Sequence, residues 1–124
     1  MAEGKIKVLL VEDDKMIIDM YTLKFSQEGF DVVQAENGKD ALELAKSQKF
    51  DIILLDIILP HMDGFTILKE LKSDEGTKNV PVVLLTNLGQ DGDVKKGMEL
   101  GATDYLIKAN FTPSQVVDKV KSII

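Results

Sequence analysis

No cysteine occurs among the 124 residues, so the chain has no disulfide framework, no thiolate metal site and no thiol nucleophile. Histidine is almost as scarce. The one imidazole, His61, stands between Pro60 and Met62, reads as a surface residue, and can build neither a zinc site nor a Ser/His/Asp set. Basic residues are in deficit, with 15 Lys and Arg against 21 Asp and Glu and a formal net charge of -6. With no cationic excess to neutralise phosphates, nucleic acid is not expected as a direct partner. No apolar run approaches the roughly 18 residues of a membrane span, and the opening Met-Ala-Glu-Gly-Lys has no signal-peptide core, so neither a membrane nor export is expected. Neither Gly-x-Gly-x-x-Gly nor Gly-Lys-Thr/Ser follows the first apolar run, which leaves a nucleotide without a phosphate cradle.

What is present is ordinary globular composition, 44% hydrophobic and 29% charged, in a length that suits one cytoplasmic domain spanning 1–124. Five short apolar runs recur at even intervals: Ile6–Val11, Val32–Ala35, Ile52–Leu55, Val82–Leu85 and Tyr105–Ile107. The first, third and fourth are near-continuous Val, Ile and Leu, the pattern of strands covered on both faces of a parallel sheet. The second and fifth are shorter and more mixed, as edge strands are. Helical patterns lie between them. Met16, Met20 and Leu23, with Ile17 and Tyr21 beside them, form a stripe closed by Gly29. Ala41, Leu44 and Ala45 make a second stripe, and Ile67, Leu68 and Leu71 a third. Val94 and Met98 mark a weaker fourth helix interrupted by Gly97. Val116, Val117, Val120, Ile123 and Ile124 define the fifth, opened by Thr112-Pro113-Ser114-Gln115 with capping-box spacing. Ser73 to Asn79 reads as a surface loop. The pattern is (βα)5, which right-handed crossovers turn into an α/β sheet with helices on both faces.

In such open sheets ligands bind beyond the carboxyl ends of the strands. Glu12, Asp13 and Asp14 follow the first run, Asp56 the third, Thr86 the fourth and Lys108 the fifth. Asp14 has a simple reading as the N-cap of the first helix. If the first and third strands are neighbours, Glu12, Asp13 and Asp56 converge. Like charges that close raise one another's pKa or require a cation. A hard divalent ion with oxygen ligands, Mg²⁺ above all, resolves the repulsion.

Leu9-Leu10-Val11-Glu12-Asp13-Asp14, then Asp56 to Gly64 with Pro60 and Asp63 in the pattern Asp-x₃-Pro-x₂-Asp-Gly, then Leu85-Thr86-Asn87 and Ile107-Lys108, form an ordered set. Together they resemble the receiver domain of two-component response regulators, over essentially the whole chain. The resemblance implies a flavodoxin-like, doubly wound five-stranded parallel sheet in the order 2-1-3-4-5. It implies that Asp56 accepts a phosphoryl group from a sensor histidine kinase, a phosphotransfer protein or a small phosphodonor. Glu12 and Asp13 would hold Mg²⁺ with Asp56 and the backbone carbonyl of Ile58. Lys108 would neutralise phosphoryl oxygens, Thr86 would donate its hydroxyl to them, and Tyr105 is the aromatic position that swings with the threonine. The output would pass through the face of the fourth helix, fifth strand and fifth helix to a downstream effector protein or domain. No effector domain is expected within 1–124.

Three departures stand out. Ala109 follows Lys108 where the family usually has proline, commonly after a cis bond; before alanine that bond costs about 2.5–4 kcal/mol, so a differently running loop is expected. Asn87 follows Thr86 where a small residue is commoner. Ile58 and Leu88, two residues past Asp56 and Thr86, are apolar where the family often carries polar side chains. Two alternatives fit the sequence less well. A hydrolase of the haloacid-dehalogenase kind needs a second Asp two residues past the nucleophile, and Ile58 stands there. A receiver-like scaffold that binds partners without phosphorylation goes with a damaged acidic site, whereas all five site positions are filled here.

Overall fold

The structure, a computed structural model, describes residues 5–124. Strands and helices alternate along the chain: β1 (Lys7–Val11), α1 (Lys15–Gln27), β2 (Asp31–Ala35), α2 (Gly38–Ser47), β3 (Ile52–Leu55), α3 (Gly64–Ser73), β4 (Val82–Thr86), α4 (Asp91–Glu99), β5 (Asp104–Ile107) and α5 (Pro113–Ile123). A short 3₁₀ turn, Lys108–Asn110, joins β5 to α5. All strand pairs are parallel and the order is β2-β1-β3-β4-β5, so β1 and β3 are neighbours and the two mixed runs do form the edges. The register sets Val11 beside Leu55 and Thr86 beside Ile107, which aligns the carboxyl ends of the strands.

The continuous apolar runs have their explanation in two cores. Leu9, Val11, Ile53, Leu55, Val82 and Leu84 face one side, against α2 and α3. Val8, Leu10, Ile52, Leu54, Val83 and Leu85 face the other, against α1 and α5. Alternate residues of β1, β3 and β4 therefore enter opposite cores, and neither parity of these strands can be polar. Each such side chain, almost wholly buried, contributes about 1.5–3 kcal/mol.

Helix boundaries follow local chemistry. Asp14 caps α1 by accepting from the amides of Met16 and Ile17. Gly29, at φ 89°, ends the same helix, and the amide of Phe30 reaches back to the carbonyl of Phe25. Asp63 caps α3 through the amide of Thr66. Thr112 and Gln115 complete the expected capping box, with Pro113 in the first turn of α5.

Two helices bury other faces than the pattern suggested. In α1 the buried residues are Ile18, Tyr21 and Phe25, while Met16, Met20 and Leu23 are 83%, 42% and 63% exposed. The helix carries apolar residues around much of its circumference, and the aromatic face fills the space over β1 and β3 better than the methionine face. In α4, Met98 is exposed and Gly97 is the buried residue. Gly97 does not interrupt this helix but seats it: a Cβ there would lie 2.5 Å from Leu84 Cδ1 and 3.1 Å from Tyr105 Cδ2. The polar segment after α3 is also more than a surface loop. Thr77 is buried and donates to the carbonyl of Leu71 at 2.7 Å, and Lys72 Nζ donates to the carbonyls of Lys78 and Val80. Burial holds the Lys72 pKa below its ordinary value.

Candidate functional site

Three strand ends converge. Glu12 and Asp13 leave β1, Asp56 leaves β3, and each offers a carboxylate oxygen within 4.8 Å of the others. Asp13 is exposed, whereas Glu12 and Asp56 are buried. Lys108, from the end of β5, crosses to both: Nζ donates to Asp56 Oδ2 at 2.8 Å and to Glu12 Oε1. The other oxygen of Glu12 accepts the amides of Asp13 and Asp14, each at 3.1 Å, so its carboxylate is already well occupied. Asp56 Oδ1 accepts the amide of Ile58 at 3.2 Å. Among the described residues, the carboxylate with the freest access to solvent in this cluster is that of Asp13.

The close approach of the loop after β3 depends on Gly64. A Cβ at that position would lie 2.3 Å from the carbonyl oxygen of Asp56 and 2.6 Å from Ile57 Cα, so any side chain would push the Asp56 segment out of place. The amide of Gly64 bonds to the carbonyl of Ile57 at 2.8 Å. Thus the Asp63-Gly64 pair starts α3 and also clamps the loop that presents Asp56.

Burial and charge oppose one another here. Burial raises the Glu12 carboxyl above its ordinary pKa; the Lys108 and Asp14 hydrogen bonds oppose this only in part, and the Asp56 charge adds to it. For Lys108, burial pulls the ammonium down, but hydrogen bonds to Asp56 and Glu12 outweigh it and leave the pKa above the ordinary lysine value. Tyr21, on the buried face of α1, is also raised, by burial first, with the charges of Lys108, Glu12 and Asp56 acting on it. Three carboxylates against one ammonium leave the cluster a formal net −2, in place to take up a divalent cation.

Thr86 is fully buried at the end of β4, and its Oγ1 accepts the amide of Leu88 at 3.3 Å. The carbonyl of the same Leu88 accepts the hydroxyl of Tyr105. Leu88 thus links Thr86 to Tyr105 through its two backbone groups. Burial, then the charges of Asp93 and Asp56, push the Tyr105 phenol up to about 12. Ile58 is 60% exposed beside Asp56, and Leu88 packs half-buried on the core. His61 is exposed, with φ 69°, and takes no part in the cluster.

No cis peptide occurs among the described residues, so Lys108–Ala109 is trans and the loop runs as the 3₁₀ turn. Sequence reasoning singled out Ala109 and Asn87 separately and missed that they meet: Asn87 Oδ1 accepts the amide of Ala109 at 3.1 Å. No spacing in the sequence marks that pair. Tyr21 and the backbone of Leu88 were missed as well, the first because it read only as part of a helical stripe.

A parallel (βα)5 sheet in this strand order, with an acidic cluster, a lysine and a threonine at its carboxyl edge, defines a doubly wound, flavodoxin-like domain with an anionic site at the strand ends. The sequence model of the response regulator receiver domain matches residues 8–121, and the chain belongs to that family. It is 37% identical to the DNA-binding dual master transcriptional regulator RpaA of Synechocystis over 95% of this chain and 48% of that protein. It is 36% identical to the alkaline phosphatase synthesis transcriptional regulatory protein PhoP of Bacillus subtilis, over 95% and 48%. The chain therefore spans about half the length of these curated relatives. Among solved structures it resembles the chemotaxis response regulator CheY4 of Vibrio cholerae, with a TM-score of 0.90, 29% identity and coverage of 97% and 99%. It also resembles the Francisella response regulator 1452 receiver domain, with a TM-score of 0.88, 33% identity and 95% of each chain covered.

Proposed function

We propose that this receiver domain is a phosphorylation-activated switch in which Asp56 takes the phosphoryl group. An Asp56 carboxylate oxygen attacks phosphorus in line, the P–N bond of a phosphohistidine breaks, and the imidazole leaves with the electron pair and takes up a proton. The donor is a sensor histidine kinase or phosphotransfer protein, or a small acyl phosphate. The observation that carries this reading is the convergence of Glu12, Asp13 and Asp56 within 4.8 Å with Lys108 Nζ on Asp56. Phosphoryl transfer asks the protein mainly for positioning and charge neutralisation, and those are what these groups supply.

The donor set is all oxygen and net anionic, which fits Mg²⁺ and suits neither a soft metal nor zinc. Glu12, Asp13, Asp56 and the carbonyl of Ile58 would hold the ion, Glu12 sharing its oxygens with Lys108 and the amides of Asp13 and Asp14. When bound, Mg²⁺ supplies positive charge against the phosphoryl oxygens. Lys108, already on Asp56, would neutralise those oxygens as well. Thr86 turns its hydroxyl to them and weakens its hold on the Leu88 amide, and the change reaches Tyr105 through the Leu88 carbonyl. The α4–β5–α5 face carries the signal to an effector protein or domain. No described helix is long and apolar enough to cross a membrane, and a cytoplasmic domain of net charge -6 addresses proteins rather than nucleic acid directly.

The test is intact-mass analysis after incubation with a small acyl phosphate and Mg²⁺. The wild type gains one phosphoryl group, Asp56→Asn gains none, and Asp13→Asn gains it slowly with weakened Mg²⁺ dependence. An unchanged adduct in Asp56→Asn sinks the assignment of the acceptor.

A further inference from the structure

Two residues that depart from the receiver pattern, 22 positions apart, are joined by one hydrogen bond: Asn87 Oδ1 accepts from the backbone N–H of Ala109 at 3.1 Å. Asn87 directly follows Thr86, the last residue of β4, and Ala109 directly follows Lys108, the first residue of the 3₁₀ turn. The β4–β5 ladder runs from Val83 beside Asp104 to Thr86 beside Ile107 and stops there. The Asn87 side chain therefore carries the pairing of the two strands one step past the end of the backbone ladder. It also satisfies an amide in the first turn of a 3₁₀ segment, where N–H groups have no intrahelical partner. A proline at 109 would have no N–H to offer, and an alanine or glycine at 87 would have no acceptor.

The consequence falls on Lys108. Its backbone is bracketed, by the ladder at Ile107 on one side and by Asn87 at Ala109 on the other. From that anchored point its flexible stem reaches across from the end of β5 to Glu12 just past β1 and Asp56 just past β3, with the side chain only 11% exposed. Alanine at 109 leaves the turn without the rigidity a proline ring gives. We propose that Asn87 is a positioning residue for Lys108: by holding the Ala109 amide it fixes the turn that aims the Lys108 ammonium at Asp56. The inference rests on the reading of Asp56 as phosphoryl acceptor only for its effect on rate, because the aim of Lys108 can be measured without phosphorylation.

The experiment compares the wild type with Asn87→Leu, of similar size but with no acceptor, and Asn87→Asp, which keeps the acceptor in place. In the Mg²⁺-free protein, nuclear magnetic resonance reads the exchange rate of the Ala109 amide and the order of the Lys108 Cε–Nζ group. In Asn87→Leu the Ala109 amide should exchange about three- to tenfold faster, the loss expected for one partly solvated hydrogen bond, and Lys108 should approach the mobility of exposed Lys15. Asn87→Asp should restore both. With saturating Mg²⁺ and acyl phosphate, the maximal phosphorylation rate of Asn87→Leu should fall by about the same factor at unchanged KM for the donor. Faster Ala109 exchange with Lys108 order and maximal rate both at wild-type values overturns the proposal, as does a loss of order that Asn87→Asp fails to restore. A wild type that forms no phosphoryl adduct removes the switch reading instead, and the Lys108 order measurement still decides this one.

Discussion

Replacing Lys108 with alanine isolates the electrostatic strain stored at the site. Two carboxylates that are 4% and 7% exposed in their side chains lose the ammonium they share, and the formal charge of the cluster goes from −2 to −3. Exposed ion pairs contribute only about 0–1 kcal/mol, but removing one partner of a buried pair leaves a desolvated charge and costs about 3–5 kcal/mol. The open side at Asp13 lets water and cations relieve part of this, so about 3 kcal/mol is expected in Mg²⁺-free buffer at neutral pH. The penalty depends on pH in a definite direction. Glu12 already titrates above its ordinary value because it is buried, and the Lys108 hydrogen bond is the first influence opposing that rise. Without Lys108 the folded pKa climbs further. A carboxyl with a raised folded pKa contributes stability that is complete below about pH 4.5 and is lost as pH rises through the folded value. The penalty of Lys108→Ala should therefore be largest at neutral pH and shrink toward about pH 5. Mg²⁺ at a hundredfold excess over the variant's Kd should stabilise the variant by about 2.7 kcal/mol, and the wild type, whose cluster is less anionic, by less. Urea unfolding of both proteins, at two pH values and with and without Mg²⁺, reads all of this from the midpoints at constant m. A neutral-pH loss below about 1 kcal/mol would show that these pairs behave like surface ones. A large loss indifferent to both pH and Mg²⁺ would mean that packing of the lysine stem, and not charge, was removed.

Further outcomes follow from the same geometry. The chain has two tyrosines, Tyr21 and Tyr105, both with phenols raised by burial, Tyr105 to about 12. Near-ultraviolet titration of the native protein should show no phenolate at the ordinary pKa of 10, and the stability Tyr105 gives, full below about pH 10, should fade as pH passes about 12; a native phenolate step at pH 10 refutes the buried, bonded tyrosine. Self-dephosphorylation should be slow, because Ile58 and Leu88 offer no group to orient a water opposite the Asp56 oxygen. One orienting hydrogen bond is worth about 1–2 kcal/mol, or roughly five- to thirty-fold in rate. Phosphoryl lifetime should shorten by that order in the Ile58→Asn, Leu88→Glu double variant, and a wild type that loses its phosphoryl group within seconds ends the idea.

Much of this protein is written locally. Strand parity, helix caps at Asp14 and Thr112, and the closing Gly29 depend on residues a few positions apart, so the linear order of the chain reveals them. The continuous apolar runs announced a sheet covered on both sides because a strand with no polar parity has no face to give to water. The acidic residues, threonine and lysine at the strand ends were legible for a similar reason: a parallel sheet lines up its carboxyl ends whatever the details of packing. What tertiary structure decided are choices between equivalents and contacts across long separations. Both faces of α1 are apolar, and only the fit of Ile18, Tyr21 and Phe25 against the sheet left Met16 and Leu23 in solvent. Gly97 looked like a helix breaker until Leu84 and Tyr105 were placed beneath it. That Glu12 shares its oxygens among Lys108 and two amides is likewise a matter of tertiary contact, since Lys108 lies 96 positions away. The bond between Asn87 and Ala109 forms because two strands end side by side, and adjacency of strand ends is a property of the sheet, which no stretch of sequence carries on its own.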